Sequence, residues 1–240
     1  MVAPNFFLTF ANVMIQDFET NKKRVERLRL TCKLMDDDGK VHHFQDGYEY
    51  IEIGGLKWAT CNVGAKSITD YGVYFQWGDV QGYTADQVGC GEKDKYFNWL
   101  DYKYSNNGTM TKYNSSDGKT ILDSVDDAAR FHMGGSWRMP TEDDFRILLT
   151  NTTNKWTSIN GISGRLFTSK ADSSKTLFFP TCGYCSCGSI HYRGSLGFYW
   201  CSSLYSSTVV GGRRLFFDSV NYLIDSSHRC CGVPVRGVIG

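Results

Sequence analysis

The 240-residue chain has no run of apolar residues approaching the roughly 18 to 20 that a membrane-spanning helix needs, so a soluble chain with no membrane span is expected. It also lacks a charge excess: 26 Lys and Arg against 25 Asp and Glu leave a formal net charge of +1. A general nucleic-acid binder usually carries a basic face, so nucleic acid is not an expected partner. No export signal is legible at the start. The basic cluster Lys22, Lys23 and Arg24 follows the apolar stretch, where a secretory leader places its basic residues first. The most informative absence lies at the other end. Residues 185–240 contain no Lys, Glu, Gln or Met, whereas residues 1–184 hold 14, 6, 5 and 6 of them. An even draw would place roughly nine in those 56 positions, and zero has a chance on the order of a few in 100,000.

What is present suits a folded protein. Hydrophobic residues make up 41% and aromatics 15%, ample for a core and incompatible with wholesale disorder. The length fits one large domain, or a small unit beside a medium one. Nine cysteines cannot all pair within one chain, and six of them (Cys182, Cys185, Cys187, Cys201, Cys230 and Cys231) fall in the last 59 residues. Without a legible leader, reduced thiols are expected.

Residues 1–46 read as a small β-hairpin docking element, with the alternative that they are a strand pair of the main domain. Val25 to Leu34 alternates charged and apolar residues, Asp36 to Lys40 is a turn signal, and Val41 to Phe44 can return as a strand. From residue 47 onward short strand-like runs alternate with turns. Tyr50–Ile53 and Leu56–Ala59 flank Gly54-Gly55, a hairpin signature. Two helices are expected, over Ser124–Met133 and Thr141–Leu149, each opening with a hydroxyl cap and acidic residues. Further strands are expected over 165–169, 176–179, 197–202, 214–217 and 233–238. Two helices amid many short strands give an α+β class.

Seven strings occur together in a fixed order: GLKWATCNVGA (55–65), DYGVYFQWGD (70–79), DDAA (126–129), GGSWRMPTEDDF (134–145), FFPTCGY (178–184), GFYWCSSLYSS (197–207) and RCCGVPVRGV (229–238). With them, residues 48–240 resemble the "major paralogous domain" family of gut bacteria and their phages. The resemblance implies a C-type-lectin-like fold, related in shape to formylglycine-generating enzymes. Many members of that fold are variable proteins of diversity-generating retroelements, whose C-terminal segment is rewritten by error-prone copying at template adenines. Such copying of Asn codons cannot reach Lys, Glu, Gln, Met or Trp, which is the pattern of residues 185–240, where Trp200 belongs to the framework string. A variable region over residues 185–233 is therefore expected. The excess cysteine fits as well, since TGC differs from AAC only at adenines.

The resemblance implies a binding module that displays a diversified surface on a constant core. Its contact residues are expected among His191, Tyr192, Phe198, Leu204, Tyr205, Arg213, Tyr222, Leu223 and His228, because aromatic and guanidinium side chains anchor interfaces at low entropic cost. The expected partner is a host cell-surface protein or glycan. Residues 1–46 would dock to a virion tail component, a homotrimer fits a tail tip, and the expected location is a phage tail in the virion. A bacterial cell-surface adhesin and a formylglycine-generating-type thiol oxidase are the alternatives. An enzyme is not expected, because no cationic partner for Cys182, Cys185 or Cys201 can be assigned from sequence. No cofactor or metal is expected either. Cys182 and Cys185 have ligand spacing, but Cys230 and Cys231 are adjacent, and the Glu/Asn and Trp-Asn-Asp pattern of calcium-binding lectins is missing. Asp126-Asp127 and Asp143-Asp144 are read as helix-opening acids, and Trp58, Trp77, Trp137 and Trp200 as core.

Overall fold

Met35 pairs with Val41 across a turn in which the Gly39 amide donates to the Asp36 carbonyl at 2.9 Å. This closes a hairpin of β1 (Cys32–Met35) and β2 (Val41–Gln45). The structure is a computed structural model that describes residues 32–36, 38–39, 41–88 and 96–240; the expected strand residues 25–31 and the rest of the docking element before them lie outside the described residues. The hairpin continues into β3 (Tyr48–Ile53) and β4 (Leu56–Asn62). Gly54 and Gly55, at φ 64° and 79°, supply the paired left-handed conformations that a two-residue turn demands. His42 fastens the hairpin further, its Nε2 lying 3.1 Å from Asp36 Oδ2 and its Nδ1 against the Glu49 carboxylate of β3.

Next come β5 (Val73–Phe75) and β6 (Gly82–Thr84), a short helix α1 (Ala85–Val88), and a ribbon of β7 (Ser105–Asn106) and β8 (Thr109–Met110). The helix expected over Ser124–Met133 is divided. A 3₁₀ turn covers Ser124–Asp126, Asp127 is extended, and α2 (Ala128–Met133) starts after it. Long-range partners cause the break. Asp126 is buried, and its carboxylate accepts from Lys103 at 3.0 Å, Lys112 at 2.5 Å, Tyr113 at 2.6 Å and the Tyr104 hydroxyl. Asp126 is thus a core polar node rather than a helix-dipole acid. Asp127 caps α2, accepting from Arg130 N at 2.8 Å, and its carboxylate also takes the Met139 amide. Helix α3 (Glu142–Asn151) opens as expected, with Thr141 and Asp144 bonding each other's backbone in a capping box.

A three-stranded sheet then forms from β9 (Thr152–Ile159), β10 (Ile162–Ser169) and β11 (Thr176–Pro180). A small hairpin of β12 (Tyr184–Ser186) and β13 (Ser189–His191) leads to the sheet of β14 (Gly197–Leu204), β15 (Gly211–Phe217) and β16 (Tyr222–His228). The strand expected over 233–238 is two: β17 (Val233–Pro234) pairs with β5, and β18 (Arg236–Ile239) pairs with β4, completing the sheet β1-β2-β3-β4-β18. The described chain is an α+β architecture weighted towards small β-sheets, with three α-helices among the described residues. No described helix is long and apolar enough to cross a membrane.

Strand β14 is the spine. Tyr199 and Cys201 enter one core cluster with Trp58, Phe145, Phe179 and Phe217, while Phe198 and Trp200 enter a second with Trp77, Trp137 and Val235. Burial on both faces explains why its sequence reads as a continuous run instead of alternating. The four expected core tryptophans are all fully buried. Arg236 is fully buried as well, and it donates to the carbonyls of Ala59 and Phe178, both at 3.0 Å, to the Thr60 carbonyl and to Asn62 Oδ1. Spreading its charge over four acceptors is what makes its burial tolerable.

Candidate functional site

The sheet β14-β15-β16 sets the geometry of the C-terminal segment. Its register aligns Phe198 with Phe216 and Leu223, and Trp200 with Arg214 and Asp225. By strand alternation these two rows share a face, and the rows led by Gly197 and Tyr199 share the other. Near the Arg214 end, β12, the turn after β14 and the end of β16 enclose an open cleft of about 510 Å³. Tyr184, Tyr205, Arg214 and His228 supply its aromatic and cationic walls. Ser186, Thr208, Ser226 and Ser227 supply hydroxyls, and Val210, Gly211 and Cys231 complete the lining.

Arg214 is held rigidly. Its Nε and Nη2 donate to the two carboxylate oxygens of Asp225 at 2.8 and 3.2 Å, and its guanidinium lies 4.0 Å from the Phe198 ring centroid. A two-point carboxylate clamp plus ring stacking fixes the plane of the guanidinium and cancels its charge. Tyr184 stacks on His191 at 5.2 Å and meets Phe198 edge-on at 5.5 Å, with Tyr192 at 6.1 Å. Tyr192 carries a positive φ of 56°, held by its carbonyl accepting from the amides of Ser195 at 3.1 Å and Leu196 at 3.0 Å.

The expected contact residues divide accordingly. Tyr205 and His228 line the cleft. His191 and the 59% exposed Tyr192 flank it through Tyr184. Tyr222 and Leu223 are exposed at the far end of β16, where Tyr222 lies 5.1 Å from the Arg165 guanidinium. Arg213 and Leu204 are half-buried; Arg213 pairs with Glu142 Oε2 at 3.0 Å and stacks 4.7 Å from the Tyr205 ring. Phe198 departs from its expected role. At 4% exposure it is the buried support beneath Arg214 and Tyr184, because it sits near the start of a strand covered on both faces. Tyr222 and Leu223 belong to the edge strand β16, whose exposed residues are free of core-packing constraint.

Tyr184, Arg214 and Cys231 were not among the expected residues. Tyr184 belongs to a framework string, and nothing local distinguishes Arg214 from Arg213; only strand alternation, once β15 is placed, turns one to the cleft and the other to Glu142.

The thiols that the thiol-oxidase reading would use are Cys182, Cys185 and Cys201, all buried and free. Burial pushes the Cys182 thiol up to about 12 despite a hydrogen bond with Tyr199. Burial also raises Cys185 and Cys201. Such thiols stay protonated at neutral pH and are poor nucleophiles. Among the described residues no group of three or more His, Cys, Asp and Glu side chains is placed to hold a metal ion.

Comparison with protein-family models, with curated proteins and with solved structures gives no match to this chain.

Proposed function

We propose that the protein is a ligand- and receptor-binding module whose cleft is a diversified surface carried on a C-type-lectin-like scaffold. The observation that carries this reading is a coincidence of composition and place. Ten of the eleven cleft-lining residues, Ser186 to Cys231, come from the segment without Lys, Glu, Gln or Met, the exception being Tyr184. The clefts lined by Val41 to Lys175 and by His42 to Phe178 take nothing from that segment. A segment whose residues are restricted by how they are generated, and which also walls one open cleft, is what a diversified paratope requires.

The scaffold side of the reading rests on β4 and β18. Their pairing ties the C-terminal end of the segment to the early part of the chain, and Arg236 anchors it to β4 carbonyls, so variation in the cleft need not disturb the closure. The cleft volume falls within the range of small-ligand sites. Arg214 is neutralised by Asp225 and the remaining walls are aromatic and hydroxylic, which suits an uncharged polar group on a host cell-surface protein or glycan. In this reading the protein works at a phage tail or fibre tip, residues 1–46 dock to the virion, three copies assemble there, and the module is not an enzyme.

Adsorption of the fluorescently labelled protein to a panel of intact gut bacterial cells tests the reading. Tyr205→Ala/His228→Ala is expected to reduce adsorption at least about tenfold with an unchanged unfolding transition. Equal adsorption by the folded double variant contradicts the assignment.

A further inference from the structure

Strand β16 is the outer strand of its sheet and pairs only with β15, in an unbroken register from Tyr222 to His228. The bonds that flank this ladder fix which way its backbone points. Arg229 N donates to the Val210 carbonyl at one end and Asp218 N to the Asn221 carbonyl at the other, each at 3.0 Å. Bonded pairs recur at every second residue of an antiparallel ladder, so both ends require Leu223, Asp225 and Ser227 to bond β15. Tyr222, Ile224 and Ser226 then turn their N–H and C=O groups to the open side, where none of them meets a partner among the described residues. His228 does so with its amide alone, because its carbonyl accepts from Cys231 N at 3.0 Å.

An open strand edge is a template for another chain, and folded proteins guard such edges with Lys, Pro or a bulge. The outer strands of the five-stranded sheet, those of the β9-β10-β11 sheet and the opposite edge β14 each show a guard. β1 includes Lys33, β9 includes Lys155, β11 ends at Pro180, and the pairings of β14 and β18 are interrupted by register shifts. β16 has none of these. Its one carboxylate, Asp225, is clamped by Arg214, and its exposed large side chains are Tyr222 and Leu223.

We propose that β16 is a strand-addition site: an extended, uncharged segment of a host cell-surface protein pairs with the Tyr222–Ser226 edge. That partner rests on the binding reading above, whereas the open edge does not. Backbone chemistry selects the class. Outward N–H and C=O groups recurring about every 7 Å match an extended polypeptide, which offers the same array in return, and a glycan has no such alternation. Ser226, Ser227 and His228 also line the cleft, so the added strand runs along its rim. A second copy of this chain fits less well. Paired over the whole stretch it would centre on Ile224 and set Leu223 against Asp225 of the other copy, an apolar side chain against a carboxylate already engaged by Arg214.

The test uses adsorption of the full chain to intact gut bacterial cells. Ser226→Pro removes an outward amide without taking a bond from β15, and Ser226→Ala loses the same hydroxyl but keeps the amide. The Pro variant is expected to adsorb at least about tenfold less than the Ala variant, with the same unfolding transition. Protease treatment of the cells is expected to abolish adsorption of the unsubstituted protein, and periodate oxidation to leave it. Equal adsorption by the two folded variants, or adsorption that survives protease and is lost to periodate, overturns strand addition while the binding reading stands. If Tyr205→Ala/His228→Ala adsorbs normally and Ser226→Pro does not, strand addition stands and the cleft reading fails. Amide hydrogen exchange of the free protein completes the test and needs no variant. Ile224 and Ser226 are expected to exchange rapidly at every protein concentration, and protection that grows with concentration makes a second copy the occupant and overturns the proposal.

Discussion

Trp77 and Trp200 exchange hydrogen bonds across the core: Trp77 Nε1 donates to the Cys201 carbonyl, and Trp200 Nε1 to the Phe75 carbonyl, each at 2.8 Å. Each indole therefore satisfies a backbone group beside the other, joining the β5 segment to β14. Both side chains are fully buried, so neither carbonyl can turn to water instead. The clasp fixes the spine from which the cleft-bearing strands extend.

Replacing either tryptophan with Phe keeps most of the apolar surface but orphans one carbonyl. The expected cost is about 1–3 kcal/mol for each single variant. Because the two bonds tie the same pair of segments, the double variant is expected to cost less than the sum of the singles. Chemical denaturation of the two singles and the double, analysed as a mutant cycle, measures this.

Gly212 and Gly211 differ although they are neighbours. A Cβ on Gly212 would lie 2.6 Å from Trp77 Cδ1 in the core, whereas one on Gly211 would meet the half-buried Tyr205 ring at 2.9 Å. Gly212→Ala is expected to destabilise by roughly 1–3 kcal/mol through overpacking against a fixed indole. Gly211→Ala should cost less, because Tyr205 can move outward. Thermal unfolding of the two variants decides it, and equal losses would contradict the packing described.

Acid sensitivity centres on Asp126 and Asp144. Lys112, Tyr104, Tyr113 and Lys103 outweigh burial and hold the Asp126 carboxyl well below the usual carboxylate range. Arg138 and the Thr141 backbone do the same for Asp144. A carboxyl whose value is lower folded than unfolded contributes its stability above the unfolded value and loses it as pH falls through the folded one. Stability should therefore decline below about pH 4, the unfolded carboxylate range. Burial raises Asp127 in the opposite direction, which partly offsets the slope. Asp126→Asn, which strips Lys103 and Lys112 of their buried carboxylate, is expected to cost on the order of 3–5 kcal/mol at pH 7 and to flatten the acid limb in a pH series of denaturation curves.

Phe198 and His228 separate support from contact. Phe198→Ala removes the ring under Arg214 and Tyr184, and is expected to lower stability by about 3–5 kcal/mol. His228→Ala, at an exposed strand end, should change stability by less than about 0.5 kcal/mol while weakening adsorption to cells. Paired melting and adsorption curves check both halves.

Local chemistry made part of the fold legible from sequence. The Gly54-Gly55 turn and the Thr141 capping box are decided within a few residues, and both stand as read. Where distant groups decide, reading failed. The helix over Ser124–Met133 breaks because Asp126 answers to Lys103 and Lys112 from other loops. Strand β9 was not anticipated, since TTNKWTSI shows polar residues at most positions along a half-exposed edge of its sheet. The cleft was half legible. Composition pointed to the segment that walls it, but Tyr184, Arg214 and Cys231 meet only after three strands and two turns have been placed.

Sequencing codons 185–233 of this gene across a natural population tests the central claim most directly. The account predicts substitutions concentrated at template adenines, in codons for cleft and open-edge residues such as Tyr205, Tyr222, Leu223 and His228, while Phe198, Trp200 and Gly212 stay constant. A uniform, unvarying segment, or variation falling equally on Phe198, Trp200 and Gly212, would contradict it.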